Sequence, residues 1–225
     1  MTVWLSLCAG ILLVAYLIGS IPTGYAAGRL LKGIDIREHG SGSTGATNVL
    51  RTLGKGPGLL VLLVDTLKGV FAIALVRWFF TNAPSHNVPS VVSLSSWLPW
   101  MVAMAGLAAL LGHSKSIWLG FTGGKSVATS LGVLLAINWQ VGLGTLGVFG
   151  IVLALSQIVS LSSIAGAFSV CILMLLLHQP LPYQLFAVAG GLYVIWRHSS
   201  NIQRLLAGKE PRLGQLPSEP EQNLN

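Results

Sequence analysis

Apolar segments separated by short polar turns run along most of the chain. Seven are apolar enough to be membrane helices, for which about 20 apolar residues span the hydrocarbon core and fewer suffice beside sheltering neighbours. These segments cover residues 3–27, 57–80, 97–111, 126–137, 142–158, 162–177 and 181–196. The pattern predicts an all-α polytopic membrane protein with about seven transmembrane helices. Because the fourth segment is short, five or six spans with a re-entrant segment are an alternative.

Composition supports a membrane protein. Hydrophobic residues make up 53% of the chain and charged residues 8%, whereas roughly a quarter of the residues in a soluble domain are charged. A net charge of +7 would suit nucleic acid, but the basic residues are scattered between apolar segments, so we expect no nucleic-acid partner. Cys8 and Cys171 lie in apolar segments without metal-ligand spacing. We therefore expect no metal and no cofactor.

Apart from Lys68 and Arg77 in the second span, the basic residues are confined to alternate loops of the predicted helices. They are Arg29, Lys32, Arg37, Arg51, Lys55, Lys115, Lys125, Arg197, Arg204, Lys209 and Arg212. The opposite loops, 81–96, 138–140 and 178–182, contain no Lys or Arg. Because basic loops face the cytoplasm, we predict an external N-terminus and a cytoplasmic C-terminus. Residues 1–210 would form one integral-membrane domain, and residues 211–225, rich in Pro, Gln and Glu, a disordered cytoplasmic tail.

Three glycine-rich polar stretches, 40–51, 112–125 and 197–204, interrupt the apolar sequence. Backbone N–H groups in such loops, together with Arg or Lys, commonly bind phosphate. In the first stretch, Asn48 and Arg51 would share a face if a helix begins there, and Ser41 offers a hydroxyl. Taken alone, this stretch could also be a flexible connector.

The second stretch ends in Gly124-Lys125-Ser126, which matches the end of a nucleotide-binding P-loop. The first glycine of that motif falls on Leu119 and no strand precedes it, so we reject a P-loop. Gly123, Gly124 and Lys125 still precede an apolar segment, where a helix N-terminus and an ammonium can meet one phosphate. The alternative is an interfacial turn with an extended lysine.

The third stretch places His198, Asn201 and Arg204 at a spacing of three residues. This spacing predicts three polar groups on one face of a helix that follows the last span. Such a face suits an anion site, and the alternative is a basic helix lying on acidic lipid.

Two charged residues, Asp65 and Lys68, lie deep inside the second predicted span, and Arg77 lies near its outer end. Asp65 and Lys68 share a helix face, so they either pair with each other or contribute to an active site. Gly144, Gly147 and Gly150 recur every third residue in the fifth span, which favours close helix packing there.

Together these stretches resemble the bacterial acyl-phosphate-dependent glycerol-3-phosphate acyltransferases, the PlsY family. The resemblance rests on residues 40–51, 112–113, 120–129 and 198–210, on Asp65-x-x-Lys68-Gly69, and on the Ser160–Ser163 turn. It covers nearly the whole chain. The chain departs from the family pattern at Ser43, where the family has Asn, at Thr122, where it has Lys, and at Ser126, where it has Gly.

The resemblance implies transfer of a fatty acyl group from acyl phosphate to the 1-hydroxyl of glycerol 3-phosphate. The products would be lysophosphatidic acid and phosphate, in the first step of phospholipid synthesis. The active site would lie on the cytoplasmic face of a bacterial inner membrane, with membrane lipid around it and no obligate protein partner. Because no Ser-His-Asp arrangement is visible, we favour direct attack over an acyl-enzyme.

The resemblance also implies roles for individual residues. His198 and Asp65 are candidate bases and Ser41 a further catalytic residue, although a substrate phosphate could itself accept the proton. The expected substrate-binding residues are Asn48, Arg51, Lys68, Gly123, Gly124, Lys125, Ser162, Ser163, Asn201 and Arg204. We expect Lys125 with Gly123 and Gly124 to bind one phosphate and the arginines with Asn201 to bind the other.

A transporter or channel for a phosphorylated anion is the alternative function. Transporters place ligand groups near the bilayer midplane, often in two related halves. Here the basic residues lie on one face and no internal repeat is visible. A lipid-headgroup kinase is weakened by the failed P-loop and by the lack of a carboxylate cluster for magnesium.

Overall fold

The computed structural model describes residues 1–83 and 88–213, and helices make up most of this part of the chain. The helices are α1 (Thr2–Ser20), α2 (Thr23–Lys32), α3 (Ala46–Leu53), α4 (Lys55–Asn82), α5 (Leu94–Ser114), α6 (Val127–Ile137), α7 (Trp139–Ser156), α8 (Val159–Leu176), α9 (Leu181–Arg197) and α10 (Ser199–Leu206). Short 3₁₀ turns cover Ile36–Glu38 and Ile117–Leu119. The predicted tail, 211–225, lies almost wholly outside the described residues.

Five apolar helical stretches are long enough to cross a membrane: α1 with α2, α4, α5, α7 and α8. The predicted all-helical, membrane-embedded architecture is therefore confirmed. The fourth predicted span is α6, with only 11 residues, and the seventh is α9, with 17 residues. The count of seven spans stays a prediction.

The first predicted span, 3–27, is not one helix. It breaks at Ile21 and Pro22, between α1 and α2. Proline has no N–H to donate and disfavours helical geometry in the residue before it, so the prediction of an unbroken helix was wrong. The break leaves the Ile21 carbonyl available, and Lys68 Nζ donates to it at 2.9 Å.

Helix α6 packs closely against the middle of α4. A Cβ atom at Gly132 would collide with the Thr66 carbonyl, and one at Gly69 would collide with the Thr129 carbonyl. At the other end of α6, Arg77 Nη2 donates to the Ile137 carbonyl at 3.1 Å. Since Thr66 lies about 17 Å along α4 from its first residue, the segment between α5 and α6 folds back into the bundle. This placement explains why α6 is short.

Only one glycine of the α7 repeat marks a close helix contact. A Cβ atom at Gly144 would lie 3.0 Å from the Leu173 side chain of α8, whereas Cβ atoms at Gly147 and Gly150 would meet nothing within 4 Å. Helix α7 lies at the edge of the bundle, because only its residues Val141 and Gly142 are buried. The predicted packing role was therefore wrong for Gly147 and Gly150.

The contact between α4 and α6 predicts opposite effects for two Gly→Ala substitutions. Gly132→Ala should lower the free energy of unfolding by roughly 1–3 kcal/mol, because the added methyl group forces two backbones apart. Gly147→Ala should leave stability unchanged or raise it by up to about 1 kcal/mol, since alanine favours helix and the site is open. Unfolding in detergent, followed by circular dichroism, measures both. Equal effects of the two substitutions would contradict this packing.

Candidate active site

A cavity of about 490 Å³ opens between α3, α4 and α6–α9. Its polar end is lined by Arg51, Lys125, His198, Asn201 and Glu210, and mostly apolar side chains line the remainder. A second cavity of about 280 Å³, mostly polar, shares Ser41, Ser43 and Lys125 with the first. The two cavities therefore adjoin at the three polar stretches that the sequence singled out.

Asn48 organises the first stretch from inside the loop. Its amide group donates to the carbonyls of Ile36, His39 and Ser43 at 3.0, 3.0 and 2.8 Å. Its Oδ1 accepts from the Ser41 backbone N–H at 2.8 Å. Because these contacts occupy the amide, Asn48 shapes the loop that carries Ser41 and Ser43.

Arg51, one turn further along α3, faces the larger cavity. Its Nε is buried and has no hydrogen-bond partner among the described residues. Burial lowers the pKa of this guanidinium. A buried donor without an acceptor is costly, and phosphate oxygens are well suited to satisfy a guanidinium.

Lys125 lies at the junction of the two cavities. Its ammonium group donates to Asn201 Oδ1. Burial, followed by the positive charge of Arg204, lowers the pKa of Lys125 to about 8. Arg51 and Arg197 also contribute positive charge around it. Such a crowded, poorly solvated ammonium gains from any bound anion.

The two glycines before Lys125 do not both offer a free backbone N–H to a phosphate, as the sequence predicted. The Gly124 N–H donates to the His113 carbonyl at 3.2 Å, so that amide is already occupied. Arg197 Nη2 donates to the carbonyls of Gly123 and Gly124 at 3.3 and 3.0 Å. The first-turn residues Val127 and Ala128 of α6 line the cavity instead, where the leading N–H groups of a helix are unpaired.

Local contacts accommodate two of the residues at which the chain departs from the family pattern. Thr122 Oγ1 accepts from Arg37 Nη1 at 3.2 Å, so a cation reaches this position from another part of the chain. Ser126 has a left-handed backbone, with φ of 64°, which is strained for a residue with a Cβ. Its hydroxyl donates to the Leu110 carbonyl at 2.7 Å, which holds this conformation.

Glu210 joins the third stretch to α8, and the sequence analysis missed it. Its carboxylate accepts from Ser160 Oγ at 2.7 Å, Asn201 Nδ2 at 2.6 Å and Arg204 Nε at 2.7 Å. Burial opposes its ionisation, but these hydrogen bonds outweigh burial and lower its pKa. The signal was available, because the sequence has no Asp or Glu between Asp65 and Glu210.

His198 caps α9 and lines the larger cavity. Its Nδ1 lies 2.7 Å from the Val194 carbonyl. A carbonyl only accepts, so Nδ1 carries the proton and Nε2 of the neutral ring has a lone pair. Burial lowers the pKa of His198 to about 4, so the ring is neutral near pH 7.

A membrane bundle that gathers these groups around one cavity has counterparts among known proteins. The family model for glycerol-3-phosphate acyltransferase matches residues 9–208. The chain belongs to this family. It is 68% identical over 98% of both chains to a glycerol-3-phosphate acyltransferase of Nostoc sp., and 62% identical over 96% of both chains to one of Acaryochloris marina.

Solved structures agree with this membership. One is PlsY, an integral membrane glycerol 3-phosphate acyltransferase, in its glycerol 3-phosphate form, with 36% identity and a TM-score of 0.80. That match covers 92% of this chain and 96% of the other. The lysophosphatidic acid form of PlsY matches with a TM-score of 0.76. This chain is therefore an acyltransferase of phospholipid synthesis, which decides against the transporter and kinase alternatives.

Asp65 and Lys68 of this acyltransferase do pair with each other. Lys68 Nζ lies 2.8 Å from Asp65 Oδ1, 2.9 Å from the Ile21 carbonyl and 3.2 Å from His113 Nδ1. Lys68 lines neither cavity. Asp65 borders the larger cavity, and neither of its carboxylate oxygens has a hydrogen-bond partner within the described chain.

The serines at the start of α8 divide between two faces. Ser160 and Ser163, three residues apart, line the larger cavity. Ser162 is fully buried on another face, and its hydroxyl donates to the Ile158 carbonyl at 2.9 Å. Ser160, rather than the predicted Ser162, thus faces the cavity, and its hydroxyl contacts Glu210.

The structure brings most of the predicted residues to one place. The larger cavity is lined by Ser41, Asn48, Arg51, Asp65, Lys125, Ser163, His198 and Asn201. Gly123 lines the smaller cavity, and Arg204 pairs with Glu210, which lines the larger cavity. Lys68, Gly124 and Ser162 line neither cavity. Within residues 1–83 and 88–213, no group of three His, Cys, Asp or Glu side chains could hold a metal.

Proposed function

We propose that the enzyme transfers an acyl group from acyl phosphate to the 1-hydroxyl of glycerol 3-phosphate, releasing lysophosphatidic acid and phosphate. The observation that carries the proposal is a single cavity with a cationic end and an apolar groove, joined to a smaller polar cavity. One reactant has a phosphate and a long chain, and the other has a phosphate alone. The two cavities match these two shapes.

The cations at the polar end would bind the two phosphates. Lys125, at the junction, contacts both sites, with Arg51 and Asn201 on the side of the larger cavity. Arg197 lines the smaller cavity. The hydroxyl of Ser41, at the same junction, would orient a reacting oxygen. Fixed positive groups around a departing phosphate stabilise the charge that develops as the carbon–oxygen bond breaks.

His198 is the better placed of the two candidate bases. Its Nε2 lone pair can accept a hydrogen bond from the attacking hydroxyl, whereas Asp65 is engaged by Lys68. The low pKa of His198 makes it a weak proton acceptor, so the released phosphate would finally keep the proton. The hydroxyl oxygen attacks the acyl carbon, the bond from that carbon to the phosphate oxygen breaks, and no acyl-enzyme forms.

We further propose seven spans in one domain, 1–210, with an external N-terminus and the site facing the cytoplasm of the inner membrane. The basic loops support this orientation. With an impermeant maleimide applied to intact cells, Ser90→Cys should be labelled and Lys115→Cys should not. The wild-type chain, which contains Cys8 and Cys171, gives the background level of labelling. Labelling at Lys115→Cys alone would reverse the orientation.

The reaction itself is tested with purified protein in liposomes, palmitoyl phosphate and glycerol 3-phosphate, without nucleotide or added metal. We expect phosphate and lysophosphatidic acid to appear in equal amounts. Lys125→Ala and Arg204→Ala should each lose most of this activity while remaining folded. Activity with palmitoyl-CoA but not with palmitoyl phosphate would contradict the proposed donor, and near-wild-type turnover in both variants would contradict the proposed site.

The pKa of Lys125 predicts an alkaline loss of activity. Above pH 8 the ammonium of the free enzyme loses its proton, so kcat/KM should fall about tenfold between pH 7 and pH 9. Glu210, whose pKa is lowered, stays ionised in this range, and substrate phosphate is already doubly ionised. Lys125→Arg should give a flat profile over the same range, whatever its absolute activity. Parallel profiles of the two proteins would exclude Lys125 as the titrating group.

A further inference from the structure

The apolar groove of the larger cavity follows α9 away from the polar end. His198 and Phe186 both line the cavity, twelve residues apart, which is about 18 Å along a helix. On α8, Ser160 and Val170 line it at an interval of ten residues, about 15 Å. The groove therefore has a defined length.

Packed side chains close the far end of this groove. Phe186 is 3% exposed, Leu134 4% and Val170 5%. A Cβ atom at Gly106 of α5 would lie 2.8 Å from the Phe186 ring, so the ring rests directly on the α5 backbone. Phe186 is thus held between helices and cannot swing aside without repacking the core.

Small residues form much of the groove wall. They are Gly166 and Ala167 of α8 and Ala187, Gly190 and Gly191 of α9. The side of the groove is open, because Leu62 of α4 and Leu146 of α7 line the cavity and are also exposed at the surface. A single hydrocarbon chain can enter from the bilayer through this opening.

We propose that the groove measures the acyl chain of the donor, with Phe186 as the residue that sets the limit. An extended chain advances about 1.25 Å per carbon–carbon bond, so a groove of about 15–18 Å holds about 12–14 carbons. Longer chains place their remaining carbons outside the groove. This inference rests on the proposed function, because it assigns the groove to the acyl donor.

Gly190→Leu tests the limit by shortening the groove. Gly190 lies eight residues from His198, and a Cβ atom there would be 3.4 Å from Leu110 and 3.8 Å from Phe186. The leucine would block the groove about 12 Å from the polar end, after about ten carbons. Gly147→Leu is the matched control, because Gly147 faces open space on α7 and does not line the cavity.

Acyl phosphates of about eight to eighteen carbons give the readout. In the wild type, kcat/KM should rise about fourfold per added methylene, the factor for burial of one CH₂, and level off near 14 carbons. Gly190→Leu should level off near ten carbons, so that its loss of kcat/KM relative to the wild type grows with each further methylene up to about 14 carbons. Gly147→Leu should follow the wild type. An equal loss at every chain length in Gly190→Leu, or a wild-type profile, would overturn the proposal.

A second variant and a binding measurement keep the test decisive. Phe186→Ala should extend the limit beyond that of the wild type, and an unchanged limit in folded protein would also overturn the proposal. If no acyl phosphate reacts, the proposed donor is wrong. The length of the groove is then tested by the increase in melting temperature on binding lysophosphatidic acids of the same chain lengths. Gly190→Leu should lose the additional increase that long chains give. An unchanged increase would overturn the proposed limit.

Discussion

The site depends on holding several positive charges together in a poorly solvated cavity. Four cations repel one another there: Lys125, Arg51, Arg197 and Arg204. The carboxylate of Glu210 supplies the opposing negative charge. Bringing like charges out of water is costly, and one buried carboxylate offsets only part of that cost. We propose that an anion completes the arrangement. Two phosphorylated substrates would supply the missing negative charge, so the same cost that destabilises the empty site favours binding.

The rest of the bundle can be understood as the support of this cluster. The close contact of α6 with α4 sets the depth at which Lys125 enters the cavity. Arg197 holds the carbonyls of the two glycines before Lys125, and Lys68 fixes the break between α1 and α2. Glu210 ties α8 to α10 through Ser160 and Asn201. In each of these hydrogen bonds the acceptor is a backbone carbonyl or a buried carboxylate. The cations that face the cavity therefore keep hydrogen-bond donors for a ligand.

Much of this architecture could be predicted from the chain, because membrane helices and phosphate-binding loops leave strong local patterns. Apolar length located the helices, and the spacing of Asn201 and Arg204 located the helix after the last span. The predictions that failed concern features that depend on tertiary contacts. Nothing local distinguishes Asn48, which is used inside its own loop, from Arg51, which faces the cavity. The glycines of α7 follow a packing pattern, yet Gly147 and Gly150 face open space because α7 lies at the edge of the bundle. The link from Glu210 to α8 was overlooked because its partner there, Ser160, lies 50 residues away in the sequence.

The central claim is that the Lys125 cluster is a phosphate site whose charge is completed by its ligand. Calorimetry of glycerol 3-phosphate binding near pH 8.5, in buffers with different ionisation enthalpies, tests it directly. If the pKa of Lys125 is about 8 in the empty site, the bound phosphate should raise it. Binding should then take up more than half a proton in the wild type and none in Lys125→Arg. Binding without proton uptake in the wild type, or with equal uptake in both proteins, would contradict the account.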